Sequence, residues 1–123
     1  MRIKLAFIFM FLTSCAYSGG SPDITIISVN QSGTDQNKIE FCSDFSLDEI
    51  SAQAFFERAE IITAVKMHDE YSYLPCFVKG KCLRKNTPCS WEIRAGGTAY
   101  LAFDGETIIY GCKSCSEQLM GRN

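Results

Sequence analysis

The sequence is short of histidine, of positive charge and of any second long apolar run, and each shortage removes a class of function. His68 is the only histidine, so a Ser-His or Cys-His catalytic pair would have to use it, yet no nucleophile-elbow pattern accompanies it. Followed by Asp69 and Glu70, it reads as a loop histidine. Lys and Arg number 12 against 14 Asp and Glu, a formal net charge of -2. That balance offers no concentrated positive surface for phosphate, and no nucleic-acid partner is expected. The fourteen acids form many pairs, none of which stands out as the two carboxylates of a glycosidase. There is no internal repeat and no low-complexity tract, and no cofactor is expected.

What is present begins with a leader. Residues 1–14 carry Arg2 and Lys4 ahead of the apolar run Leu5 to Leu12, the layout of an export signal too short for a stable span. Its removal leaves 10 basic against 14 acidic residues. The run ends in Leu12-Thr13-Ser14-Cys15, which resembles the lipobox of bacterial lipoproteins. That resemblance implies that Cys15 becomes the first mature residue and carries acyl chains. Each buried methylene contributes about 0.8 kcal/mol, so several chains hold a soluble domain at a membrane. Ala16 stands where an aspartate commonly retains such proteins in the inner membrane, so the resemblance implies an outer-membrane anchor facing the periplasm. Residues 15–23 contain Gly19, Gly20 and Pro22 and read as a flexible tether. Residues 24–123 are expected to form a single domain.

Seven cysteines leave six once Cys15 is assigned to lipid: Cys42, Cys76, Cys82, Cys89, Cys112 and Cys115. An even set in an oxidising compartment predicts three disulfides, with 15 possible pairings that the sequence leaves open. Cys112-Lys113-Ser114-Cys115 has the spacing of a redox motif, but it does not open a helix inside a βαβ unit as thioredoxin-like sites do. Four thiolates from Cys82, Cys89, Cys112 and Cys115 could hold zinc, although the six residues between Cys82 and Cys89 exceed the usual spacing. No metal site is expected.

Along the domain, Ile24 to Val29 is rich in β-branched residues and predicts a strand, followed by a polar loop over Asn30 to Asn37. Lys38 to Phe45 alternates and predicts a second strand. Ser46-Leu47-Asp48-Glu49 matches a capping box, so a helix of about 13 residues is predicted from there, with Leu47, Ile50, Ala54, Phe55, Ala59 and Ile62 as its apolar stripe and Phe56 at the edge. Thr63 to Met67 predicts a short strand, His68 to Tyr73 a polar aromatic loop, Cys76 to Cys82 a strand, and Leu83 to Pro88 a turn. Cys89 to Cys115 predicts three antiparallel strands hinged at Gly96-Gly97 and Asp104-Gly105. The expected fold class is α+β: one main helix packed on an antiparallel sheet ending in a four-stranded meander, stapled by disulfides.

Register sharpens this. A strict two-residue turn at Gly96-Gly97 would mix apolar and charged side chains on both faces, whereas slipping by one, through a three-residue Gly96-Gly97-Thr98 connection or an adjacent bulge, aligns Trp91, Ile93, Ala95, Ala99, Leu101, Phe103, Ile108, Tyr110 and Cys112. The opposite face then holds Glu92, Arg94, Tyr100, Ala102, Thr107 and Ile109. Arg94, Tyr100 and Ile109 are the candidate partner-binding residues there, together with the basic cluster Lys79, Lys81, Arg84 and Lys85.

In layout, from signal through tether to cysteine-rich domain, the chain is similar to small lipoproteins of the Gram-negative envelope, a class that includes envelope-assembly accessories and periplasmic immunity proteins. The resemblance implies a non-enzymatic protein-binding module with an envelope protein as partner. The alternative is a thiol-disulfide redox protein acting through Cys112 and Cys115. The anchor is tested by metabolic palmitate labelling of Cys15→Ala, which should abolish incorporation; label that survives the substitution would remove Cys15 as the lipidation site.

Overall fold

A computed structural model of the chain describes residues 23–35 and 39–115. The expected signal segment 1–14, Cys15 and the tether as far as residue 22 lie outside the described residues. Elements follow in the order β1 (Ile24–Thr34), α1 (Ile39–Cys42), α2 (Glu49–Arg58), β2 (Glu60–Ile61), α3 (Ala64–Glu70), β3 (Cys76–Arg84), β4 (Thr87–Arg94), β5 (Thr98–Phe103) and β6 (Glu106–Gly111). Six strands form one antiparallel sheet in the order β1-β3-β4-β5-β6-β2, with helices packed on it. No helix among the described residues is long and apolar enough to cross a membrane.

The slipped register is the one found. Trp91 faces Leu101, Ile93 faces Ala99, Leu101 faces Ile108 and Ala99 faces Tyr110, so one face of the sheet carries the apolar set. The irregular connection spans Ala95, Gly96 and Gly97, one residue earlier than Gly96-Gly97-Thr98, with Gly97 at φ 96. At the other end of these strands, Asp104 (φ 51) and Gly105 (φ 77) make a two-residue turn, as do Lys85 (φ 50) and Asn86 (φ 65). Positive φ at both central residues matches the twist of a tight hairpin. The second pair also carries β3 and β4 further than Cys82 and Cys89, to Arg84 and Thr87.

Helix α2 covers the apolar face, and here the expected stripe is corrected. Its N-cap is Asp48, not Ser46: the Asp48 carboxylate accepts from the Ser51 amide at 2.7 Å, and the helix is 10 residues long. Its buried side is Ala52, Phe55 and Phe56, continued by Ala59; this side shares Phe55 and Ala59 with the expected stripe but leaves Ile50 80% exposed and Phe56 at 0%. Phe56 becomes the centre of the core, meeting Trp91 edge-on at 6.4 Å and Tyr110 at 5.4 Å. Trp91 in turn lies across Gly80 and donates its indole N–H to the Lys81 carbonyl at 3.0 Å. A Cβ at Gly80 would collide with both the indole and the Ser28 carbonyl.

Three further expectations are corrected. The loop Asn30 to Asn37 is strand as far as Thr34, because β1 keeps pairing with β3 through two register shifts, and such pairing needs no apolar alternation. The strand over Lys38 to Phe45 is replaced by α1; a stretch this short does not separate period 2 from period 3.6. Thr63 to Met67, expected as a strand, and the first half of the expected loop, His68 to Glu70, instead form α3 with its N-cap, where Thr63 accepts from the Lys66 amide, so His68 is a helix residue and not a loop histidine. That helix buries none of its residues, so it shows no stripe to read.

The six cysteines form three disulfides: Cys42–Cys76, Cys82–Cys89 and Cys112–Cys115, separated in sequence by 34, 7 and 3 residues. Cys42–Cys76 ties α1 to the start of β3, Cys82–Cys89 crosses a directly opposed β3–β4 pair, and Cys112–Cys115 closes on itself. The four cysteines considered for zinc are thus consumed in two bonds.

The Tyr110 hydroxyl is buried in this core without a hydrogen-bond partner. Tyr110→Phe should therefore leave stability unchanged or raise it by about 1 kcal/mol, while Phe56→Ala should cost about 3–5 kcal/mol. Urea denaturation checks both; a Tyr110→Phe loss comparable to that of Phe56→Ala would contradict this packing.

Candidate binding site on the outer face of the sheet

The face of the sheet turned away from α2 is crossed at one end by the segment Tyr71 to Pro75, which leads from α3 to β3. Two glycines let it lie close: the Tyr71 hydroxyl occupies the space a side chain at Gly111 would fill, and the Ser72 carbonyl does the same at Gly96. The strap then passes over Arg94. This guanidinium is the most connected polar group of the face. Its Nη1 donates to Glu92 Oε2 at 2.6 Å, and its Nη2 donates to Asp35 Oδ2 at 2.5 Å and to the Leu74 carbonyl at 3.1 Å. The Tyr73 hydroxyl also donates to Asp35. Tyr73 and Phe77 present their rings to the guanidinium at 5.0 and 5.6 Å.

The ionisations follow from these contacts. The Tyr73 hydrogen bond, with the Arg94 charge, holds the Asp35 carboxyl below its ordinary range, and the same bond pushes the Tyr73 phenol up. Burial alone would depress Arg94, but the Glu92 hydrogen bond and the Asp35 charge outweigh it and the net shift is upward. Burial raises the Tyr71 phenol.

Between α3, the strap and the sheet lies a hollow of about 250 Å³ whose wall includes Met67, Tyr71, Tyr73, Arg94, Thr98 and Tyr100. Tyr100 closes one side by donating its hydroxyl to the Met67 sulfur at 3.4 Å. Comparison with protein-family models, with curated proteins and with solved structures finds no match. Function must therefore be argued from this geometry and from the residues.

Of the residues singled out from the sequence, Tyr100 and Ile109 stand directly opposite each other on β5 and β6, as expected, but both are half-buried. Arg94 is on their face and, at 6% exposure, is set into the wall of the hollow. The basic cluster separates. Lys79 pairs with Glu92 at 3.6 Å and lies over Phe77, Lys81 donates to Ser90, and Arg84 is paired with Asp23 at 3.5 Å and lies over Phe103. Lys85 sits in the β3–β4 turn. The end of the sheet holding that turn also carries Asp23, Asp104 and Glu106, so the run is one-signed in sequence only. Asp35, Met67, Tyr71 and Tyr73 escaped the sequence reading. Tyr71 and Tyr73 at alternate positions before Pro75 were a usable signal, since alternate residues of an extended segment share a side; Asp35, 59 residues from Arg94, gave none.

A second hollow lies on the helix side, lined by Ser51, Phe55, Arg58 and Cys115 among others. Arg58 donates to the Ser114 hydroxyl at 2.8 Å. Cys112 and Cys115 are 2% and 4% exposed.

Because the Asp35 pKa is lowered in the fold, its contribution is complete above the ordinary carboxylate range of about pH 4 and is lost as pH falls through its folded value. Asp35→Asn should unfold at lower urea than the parent chain at pH 7, with the gap closing below about pH 4. A gap that persisted undiminished at pH 2 would show that Asp35 does not act through its charge.

Proposed function

We propose that the protein is a membrane-anchored periplasmic lipoprotein, held at Cys15 in the outer membrane, that acts as a non-enzymatic protein-binding module of the envelope-accessory or immunity type. In this reading residues 24–123 are one periplasmic domain in which one main helix, α2, lies on a sheet ending in the four-stranded meander β3-β4-β5-β6. The observation that carries the proposal is the outer-face hollow beside Tyr100, an aromatic-lined recess with a charged group fixed in its wall. Aromatic residues and arginine are the usual anchors of protein contacts.

Chain direction adds support. The tether would join at Asp23, at the end of the sheet that holds the Lys85-Asn86 and Asp104-Gly105 turns, whereas the hollow lies toward the Gly96-Gly97 end. A strand of six residues separates these ends by about 20 Å. An anchored domain would then offer its hollow away from the tether. The burial of both sulfurs favours a structural role for Cys112–Cys115 over a cycling one, since exchange requires an attacking thiolate to reach a sulfur.

The test is capture of envelope proteins by the intact chain and by Tyr100→Ala and Ile109→Ala. Both substitutions should reduce recovery of a captured partner at least about 10-fold, the loss of roughly 1.4 kcal/mol. Undiminished recovery with folded variants would place the contact elsewhere.

A further inference from the structure

The outer-face hollow has a more specific chemistry than its aromatic lining alone. Arg94 is a wall residue whose side chain is 8% exposed, and although Nη1 and Nη2 are engaged, its Nε is buried and meets no acceptor. The Tyr71 hydroxyl, lying over Gly111 next to Thr98 in the ladder, is likewise buried without a partner. Buried polar groups are normally satisfied, and leaving one unpaired costs about 1–3 kcal/mol. Both donors belong to residues that line one recess, and they mark where a ligand's acceptors belong once the wall yields to it.

The ligand's charge is set by the surroundings. Asp35 and Glu92 already sit on the two arms of the guanidinium at 2.5 and 2.6 Å. Lys79 stands 3.6 Å from Glu92, so the two carboxylates are already balanced by two cations, and a carboxylate or phosphate approaching Nε would find no uncompensated positive charge while still being repelled by Asp35 and Glu92. A neutral carbonyl accepts the same hydrogen bond without that repulsion. Size narrows it further: about 250 Å³ falls below the roughly 300–1,000 Å³ of sites for drug-sized ligands. One side chain fits it better than a cofactor does. Tyr73, Tyr100, Leu74 and Met67 supply ring faces, an aliphatic edge and a polarizable sulfur.

We infer that the hollow receives one uncharged aromatic or aliphatic side chain of a partner polypeptide, with a neighbouring main-chain carbonyl accepting from Arg94 Nε and the Tyr71 hydroxyl. This rests on the protein-binding reading above and names the chemistry of the partner at that site. The side chain supplies apolar contact and the carbonyl fixes its orientation, so the partner segment is read by shape and hydrogen bonding rather than by charge.

The probe is N-acetylphenylalaninamide, titrated into the 15N-labelled intact chain and compared with N-acetylphenylalanine, which has the same ring but ends in a carboxylate. The amide should cause saturable shifts confined to Ser72, Tyr73, Leu74, Arg94, Thr98 and Tyr100, with a millimolar Kd, about 4 kcal/mol of binding. The carboxylate should bind at least about 5-fold more weakly, and Tyr71→Phe, which keeps the ring and removes the donor, should weaken the amide at least about 3-fold. Absence of saturable shifts at these residues, or equal affinity for the two probes, overturns the inference. If the amide fails to bind while Tyr100→Ala still releases a captured partner, the pocket chemistry falls and the surface stands. If the amide binds as described while the partner is held undiminished by Tyr100→Ala, the surface reading falls instead.

Discussion

The outer half of this structure depends on a single guanidinium. Arg94 gives one arm to Glu92, two residues away on its own strand, and the other to Asp35 at the end of β1 and to the Leu74 carbonyl of the strap. Only arginine offers donors in a rigid planar fork that serves several partners at once; a lysine would be a point charge on a flexible stem. Because the group is buried, removing any one acceptor leaves a donor unpaired away from water rather than a merely absent contact. The end of β1, the strap and β4 are therefore positioned together, and the hollow is bounded on one side by the Tyr100–Met67 contact between the sheet and α3 and on the other by the strap, which lies close on the sheet at Gly96 and Gly111.

The inner face obeys a different rule. There the constraint is shape: Phe56 packs edge-on against both Trp91 and Tyr110, and Gly80 leaves the room that the indole and the Ser28 carbonyl occupy. At the first edge of the sheet, Gln53 of α2 donates to the Ile24 carbonyl and accepts from the Ile26 amide at 2.8 Å. A helix side chain thus occupies backbone groups that would otherwise be open to another strand. One ten-residue helix covers the core and blunts an edge.

How much of this was legible follows from where the information is stored. The β4–β6 register could be read because slipping it by one residue moves every apolar side chain to the other face, and Trp91, Ile93, Ala99, Leu101 and Tyr110 tolerate only one answer. The face assignment of Tyr100 and Ile109 came with it. The cap was misplaced because Ser46 and Asp48 are both good N-caps, and the stripe because Phe55 and Ala59 fit two neighbouring faces, one continued by Ile50 and Ala54 and the other, the one that is buried, by Ala52 and Phe56. Helix α3 carries no buried residue and left no period to detect. The pairing of Cys42 with Cys76, and of Arg94 with Asp35, are contacts between distant parts of the chain, set by topology rather than by local pattern. The hollow is built largely from such contacts, so its strand residues could be placed from the register, whereas Tyr71 and Tyr73 offered only their alternate spacing and Asp35 nothing.

The central claim is that Arg94 is a fixed, multiply bonded strut whose two arms are occupied. Side-chain 15N NMR of the Arg94 guanidinium reads this directly, since rotation about the Nε–Cζ bond interconverts the two arms. At neutral pH the account predicts separate Nη1 and Nη2 resonances with protons that exchange slowly. A single averaged Nη resonance in the folded protein, as given by a solvated arginine, would contradict it.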